Sequence, residues 1–223
     1  IPAIESRLIG AHSRAREAFV QDIMKSYTSW KKEDRLSRLE SLTRIAPQVP
    51  KIWFERSVIL SRIDLGKGIQ LLAAAIPQVS RSLECRRVLG DLLYRAKRYK
   101  EAGDQYRRAL KVGPIDGLSL YGLARVMEKK HQYSKAQDLF ERACLADPLD
   151  SRFQLAVIQM LLLQGEIAQA SKSIHFKIRF FPQSGSLQYL AASIHARRGI
   201  AKDRKKILDH LIEAKKAGYR VSD

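Results

Sequence analysis

The chain has 223 residues, of which 45% are hydrophobic and 29% are charged. Lysine and arginine number 41 against 23 acidic residues, which gives a formal net charge of +18 at pH 7. No apolar run approaches the ~20 residues that a membrane-spanning helix needs, and residues 1–30 lack the apolar core of a signal peptide. These features predict a helical chain in the cytoplasm without membrane insertion. Because the chain begins at Ile1 rather than at Met, a signal peptide that has been removed stays an open alternative.

The first 49 residues contain two amphipathic segments and end shortly after Pro47. We expect residues 1–49 to form N-terminal helices that act as a degenerate or capping unit. The next segment, residues 50–82, predicts a pair of helices. Its second helix fits the pattern of the later units only if one residue is missing. Its second helix then carries a small, a large and a small residue on one face, namely Gly68, Leu72 and Ala75.

From residue 83 onward the sequence repeats every 34 residues. A fixed period of roughly 20–50 residues indicates a repeat array. Residue types that cap helix N-termini recur at this interval, at Ser82, Asp116, Asp150 and Ser184. Prolines, which stop a preceding helix, fall two residues before three of these positions, at Pro114, Pro148 and Pro182. Alanine recurs at Ala102, Ala136 and Ala170, and a large residue follows four positions later, at Tyr106, Phe140 and Ile174.

Two of these periods resemble tetratricopeptide repeats, which are helix hairpins of about 34 residues. The first period carries the motif residues Leu89, Gly90, Ala102, Tyr106, Ala109 and Pro114. The second carries Leu123, Ala124, Ala136, Phe140, Ala143 and Pro148. The resemblance implies an all-α fold, a right-handed superhelical stack of antiparallel helix hairpins. It divides residues 50–218 into the units 50–82, 83–116, 117–150, 151–184 and 185–218, followed by a short tail, 219–223. First helices should begin near residues 83, 117, 151 and 185, and second helices near 99, 133, 167 and 201.

Small residues in this pattern should face large ones, because two helices approach closely only where one presents glycine or alanine. Gly90 is therefore expected to receive the ring of Tyr106, and Ala124 that of Phe140. The alanines of the second helices, Ala136 and Ala143 among them, should lie at close helix contacts.

Catalytic and metal-binding patterns are absent from the sequence. Cys85 and Cys144 lie far apart in the chain without a CxxC spacing, which favours reduced thiols. The histidines are scattered, and His195 falls on a core-facing phase where a packing role is expected. No HExxH, GxSxG or glycine-rich phosphate loop occurs. We therefore predict that the protein is not an enzyme and uses no cofactor and no metal.

The resemblance also implies a binding surface, because tetratricopeptide arrays bind partners mainly along a concave groove lined by the first helix of each pair. The corresponding positions here are Phe54, Arg62, Arg87, Asp91, Tyr94, Arg95, Tyr121, Arg125, Lys129, Leu155 and Tyr189. Arginine and tyrosine are over-represented among residues that dominate binding energies. Some family members grip a C-terminal carboxylate with lysines and asparagines, but Asp91 stands where that asparagine is expected, so such a clamp is not supported.

The basic charge leaves two functions open. The preferred one is a protein-interaction scaffold whose groove binds an acidic or aromatic-bearing protein segment, as part of a larger protein or assembly. The alternative is a nucleic-acid-associated, RNA-binding helical repeat, because phosphates attract the same side chains. A dense basic face is predicted near the C-terminus, at Arg197, Arg198, Lys202, Lys205 and Lys206.

Overall fold

The computed structural model describes residues 13–31, 34–199 and 203–219. These residues form twelve α-helices and no β-strand, which confirms the all-α expectation. The helices are α1 (Ser13–Lys25), α2 (Arg35–Ile45), α3 (Pro50–Ile63), α4 (Leu65–Ala75), α5 (Leu83–Arg95), α6 (Tyr99–Val112), α7 (Gly117–Lys129), α8 (Tyr133–Ala146), α9 (Ser151–Leu163), α10 (Ile167–Phe180), α11 (Gly185–Arg198) and α12 (Arg204–Lys216), with a short 3-10 helix at Tyr27–Ser29.

The helix boundaries follow the period of the sequence. All four first helices begin where the sequence predicts them, at Leu83, Gly117, Ser151 and Gly185. Three second helices do so as well, at Tyr99, Tyr133 and Ile167. Helix α12 is described from Arg204 rather than from the predicted residue 201. The start of the predicted N-terminal unit, residues 200–202 and the end of the predicted tail lie outside the described residues.

Three of the four predicted caps hold the first turn of a helix. The side chain of Ser82 accepts a hydrogen bond from the amide of Cys85 at 3.1 Å. Asp116 caps α7 and Asp150 caps α9 in the same way, by accepting from main-chain amides at 2.8 and 2.9 Å. Ser184 departs from the prediction, because its backbone is extended but its side chain makes no cap hydrogen bond.

Four turns between paired helices each contain one residue with a left-handed backbone conformation. It falls at Lys97, His131, Gly165 and Gly199, with φ of 60°, 57°, 80° and 65°. The interval between these four positions equals that between the caps. Only Gly165 and Gly199 adopt this conformation without the steric penalty that a Cβ atom imposes, so the turns at Lys97 and His131 carry local strain.

The chain forms two compact units, one ending at Val126 and the other beginning at Met127. In the first unit an N-terminal apolar cluster joins α1, the 3-10 helix, α2 and the start of α3, with Val20, Met24, Leu39 and Ile52 almost fully buried. The α3–α4 hairpin is tight at Gly68, where an added Cβ would lie 2.7 Å from the Cβ of Ser61. The predicted small-large-small face of α4 is buried, as expected for a hairpin with one residue missing.

Tyr106 is the central packing residue of the next hairpin. Its side chain is buried, with 1% exposure, and its ring lies close to two glycines, Gly90 on α5 and Gly122 on α7. An added Cβ would approach the ring to 2.7 Å at Gly90 and to 2.4 Å at Gly122. The predicted contact between Gly90 and Tyr106 is confirmed, and Gly122 provides a second one.

The second unit has its own apolar cluster, formed by α9, α10 and α11. Its buried members are Ile158, Leu161, Ala170, Ile174, Leu187, Leu190, Ala191 and Ile194. On α8, both Ala136 and Ala143 are fully buried, as the repeat pattern predicts. Among the described helices, none is both long enough and apolar enough to cross a lipid bilayer.

Candidate functional site

Arginine and tyrosine side chains predicted to line the groove meet on α5 and α7. The guanidinium carbon of Arg125 lies 4.1 Å from the ring centroid of Tyr94 and 5.8 Å from that of Tyr121. Tyr121 and Arg125 are one helical turn apart, so both project from the same face of α7. Tyr94 also packs edge-on against Tyr99, with 5.2 Å between ring centroids. We call Arg87, Asp91, Tyr94, Tyr121 and Arg125 the Arg-Tyr cluster.

Asp91 contacts both the core residue Tyr106 and the cluster residue Arg87. Its Oδ1 accepts a hydrogen bond of 2.7 Å from the hydroxyl of Tyr106, and its Oδ2 lies 4.0 Å from Nη1 of Arg87. Burial raises the pKa of Asp91, although the Tyr106 hydrogen bond and the positive charges of Arg87 and Arg125 oppose that rise. Burial beside this carboxylate raises the pKa of Tyr106 far above its usual range, so the phenol remains a donor.

Arg87 retains hydrogen-bonding capacity. Its side chain is 23% exposed, and its Nε is buried without a hydrogen-bond partner among the described residues. Because guanidinium groups bind carboxylates in a bidentate geometry, Arg87 can bind an anionic group in addition to its loose pairing with Asp91.

The other predicted groove residues have separate surroundings. In the first unit, Arg95 donates to the hydroxyl of Ser61 at 3.3 Å, while Phe54 is half-buried and Arg62 is exposed. The remaining three, Lys129, Leu155 and Tyr189, belong to the second unit. There Lys129 is exposed, Leu155 packs against the apolar cluster, and the ring of Tyr189 lies 5.0 Å from that of Tyr219.

The predicted basic face is partly neutralised by an aspartate. Asp203 lies 3.7 Å from Nη1 of Arg198 and 3.6 Å from Nζ of Lys206. Arg197 and Lys205 are exposed. Lys202, the remaining member of this face, lies outside the described residues.

Histidines that are scattered in the sequence come together in the second unit. His175, His195 and His210 each bring a ring nitrogen within 4.8 Å of the other two. His195 is 1% exposed, which confirms its predicted core-facing phase, but its Nε2 is buried without a hydrogen-bond partner among the described residues. Burial and the neighbouring imidazoles lower the pKa of His210. Sequence spacing missed this cluster, because its members share no ligand motif.

Both cysteines are free thiols. Burial raises the pKa of Cys85 and raises that of Cys144 to about 11. Neither is therefore a thiolate at neutral pH, which is the form that acts as a nucleophile.

Comparison with solved structures identifies the fold. PilF of Pseudomonas aeruginosa superposes with a TM-score of 0.74 at 17% identity, covering 91% of this chain and 91% of its own. The tetratricopeptide-repeat protein YrrB, described as having an unusual peptide-binding site, superposes with a TM-score of 0.59 at 20% identity, covering 80% of this chain and 91% of its own. The chain has the tetratricopeptide-repeat fold.

A third protein with this likeness is MamA of Desulfovibrio magneticus RS-1, with a TM-score of 0.62 at 15% identity over 74% of this chain and 94% of its own. No protein-family model and no curated protein matches the sequence significantly. At such low identity the tetratricopeptide-repeat fold is what these structures share with the chain.

Proposed function

We propose that this tetratricopeptide-repeat chain is a non-catalytic scaffold that binds a segment of a partner protein at the Arg-Tyr cluster. The observation that carries the proposal is the placement of Arg125 against Tyr94 and Tyr121, at 4.1 and 5.8 Å. Tyrosine and arginine contribute disproportionately to binding energies when a partner covers them. YrrB, which shares the fold, has a peptide-binding site, and this supports a peptide segment as the kind of ligand.

The charges of the cluster favour an acidic segment. The positive charges of two guanidinium groups, Arg87 and Arg125, act on a single carboxylate, Asp91, which already accepts a hydrogen bond from the Tyr106 hydroxyl. The Arg87 side chain is 23% exposed and pairs only loosely with Asp91, at 4.0 Å, so its accessible N–H groups can donate to an incoming carboxylate. A chain with a net charge of +18 also attracts acidic partners over longer range.

The two tyrosines favour an aromatic or apolar side chain beside the acidic groups. Tyr94 and Tyr121 are half-buried, so each presents part of its ring while the rest is held by neighbouring side chains. A rigid ring surface loses little conformational entropy when it is covered. The partner segment should therefore combine aspartate or glutamate with an aromatic residue.

The double variant Tyr121→Ala/Arg125→Glu tests this surface directly. Binding should be measured by fluorescence anisotropy with a labelled peptide that alternates glutamate and phenylalanine, and with a scrambled neutral peptide. We expect the variant to weaken binding of the acidic peptide by about 30-fold or more, since a truncated hot-spot residue costs ~2 kcal/mol. Its thermal melt should stay close to that of the wild type, because neither side chain fills the core.

A matched control changes the same amount of charge elsewhere in the first unit. Arg108 lies on the exposed side of α6, so Arg108→Glu should leave peptide binding nearly unchanged at physiological salt. Equal losses in both variants would show that bulk charge rather than the cluster binds the peptide. A third arm uses a single-stranded RNA oligonucleotide, and RNA binding that persists near physiological salt with sequence preference would support the nucleic-acid alternative instead.

A further inference from the structure

Three histidines from three consecutive helices meet in the second unit. His175 lies on α10, His195 on α11 and His210 on α12, and one ring nitrogen of each lies within 4.8 Å of the other two. The ring centroids are separated by 5.1 Å for His175–His195, 5.6 Å for His195–His210 and 6.4 Å for His175–His210. Packing of the three helices therefore gathers imidazoles that are distant from one another along the chain.

Each of these imidazoles has its Nδ1 directed at an oxygen. The acceptors are the main-chain carbonyl of Ser171 at 2.6 Å for His175, the Asp203 carboxylate at 3.1 Å for His195, and Oε1 of Gln188 at 2.7 Å for His210. The orientation of the Gln188 amide is independently set, because its Nε2 donates to the carbonyl of Pro182 at 3.0 Å. A neutral imidazole that donates from Nδ1 carries its lone pair on Nε2.

This arrangement leaves Nε2 of each imidazole as the nitrogen that can bind a metal ion. The Nε2 atom of His195 is buried and has no hydrogen-bond partner among the described residues, in a side chain whose exposure is 0%. A buried polar atom without a partner costs free energy, and a metal ion at this position would satisfy it. Histidine ligands typically donate their other ring N–H to a carboxylate or carbonyl, as all three do here to oxygen acceptors.

We infer that His175, His195 and His210 form a three-histidine site for zinc(II), with Asp203, Gln188 and the Ser171 carbonyl orienting the ligands. Imidazole nitrogens suit zinc, and three histidines with a water molecule complete a tetrahedral coordination sphere. His175 is exposed, so solvent can supply the fourth ligand. Tetrahedral bonds of about 2.0–2.1 Å require nitrogens about 3.4 Å apart, so metal binding requires the exposed His175 ring and the half-buried His210 ring both to move toward the buried His195.

Cobalt(II) titration of the full, untagged chain tests the site, because tetrahedral cobalt(II) absorbs visible light strongly and octahedral aqueous cobalt(II) does not. We expect saturation at one equivalent, loss of the bands when zinc is added, and no near-ultraviolet band from a cobalt–thiolate bond. His175→Gln should weaken cobalt and zinc affinity at least tenfold while the chain stays folded, since its side chain is exposed. His210→Gln should do the same, with far-ultraviolet circular dichroism as the check on folding.

The matched control is His131→Gln, which replaces an exposed histidine of the same unit outside the cluster. It should bind cobalt as the wild type does. Asp203→Asn should weaken affinity by about 10–100-fold, the usual effect of removing an orienting partner. The inference is overturned if the wild type shows no tetrahedral spectrum at millimolar cobalt, or if His175→Gln and His131→Gln titrate alike.

Discussion

Replacing Gly122 by alanine should destabilise the first unit, because the added methyl group has no room. The new Cβ would lie 2.4 Å from both Cε1 and Cζ of the Tyr106 ring, far inside the normal contact distance of about 3.5–4.0 Å between carbon atoms. Movement of the ring is restricted, because it also lies close to Gly90, where an added Cβ would be 2.7 Å from Cε1. The Tyr106 hydroxyl is also held at 2.7 Å by Asp91.

The expected loss follows from two opposing effects. Overpacking of a filled core costs ~1–3 kcal/mol, and the approach to two ring atoms at once places Gly122→Ala at the upper end. Alanine gains about 1 kcal/mol over glycine through its higher helix propensity. The net loss of about 2 kcal/mol in unfolding free energy corresponds to a Tm lower by about 4–8 °C.

Thermal unfolding followed by circular dichroism is a suitable assay, with Gly66→Ala as the control. Gly66 is exposed on α4, and its added Cβ would meet one atom, the Oδ1 of Asp64 that caps the helix by accepting from the Lys67 amide, at 3.2 Å. The control should therefore melt close to the wild-type temperature, because a shift of a few tenths of an ångström relieves this contact and alanine favours the helix. If Gly122→Ala and Gly66→Ala melt together, the packing argument for Tyr106 is refuted.

Helix packing, backbone strain, a raised pKa and the basic charge each predict the outcome of a further experiment. Ala136→Leu should lower unfolding free energy by ~1–3 kcal/mol because Ala136 is fully buried, whereas Lys135→Leu on the exposed face should not, as thermal melts would show. Lys97→Gly should raise Tm slightly, because removing the Cβ strain of a left-handed residue outweighs the added flexibility of the unfolded chain; an unchanged or lower Tm would argue against strain at this turn. Because the pKa of Asp91 is raised by folding, its carboxyl group contributes stability at pH values below the unfolded-state pKa. This contribution is lost as pH rises through the folded-state pKa. The Tm of Asp91→Asn minus that of the wild type should therefore increase as pH is raised from acid to neutral, and a pH-independent difference would contradict this reasoning. Binding of RNA or DNA of arbitrary sequence should be detectable at low salt and fall steeply as salt rises, and electrophoretic mobility shifts across a salt series would reveal any salt-resistant component.

Part of the candidate site was accessible from the sequence because it follows helix geometry. Arg87 and Asp91, like Tyr121 and Arg125, are one helical turn apart, and that spacing places side chains on one helix face. The contact of Tyr94 with Arg125 follows from the repeat period, which sets α5 beside α7. The hydrogen bond from Tyr106 to Asp91 was not predicted, because the repeat pattern assigns Tyr106 to packing and does not specify what its hydroxyl meets.

The sequence by itself determined where helices α5 to α11 begin. Caps such as Ser82 and Asp150, and the prolines, act within one or two helical turns, so their effect is readable along the chain. The tertiary structure decided which residues outside the repeat pattern became neighbours across helices. Gly122 has no counterpart in the repeat pattern, yet it is pressed against Tyr106. The three histidines stand on three helices at no shared spacing, and only the packing of those helices brings their nitrogens within 4.8 Å.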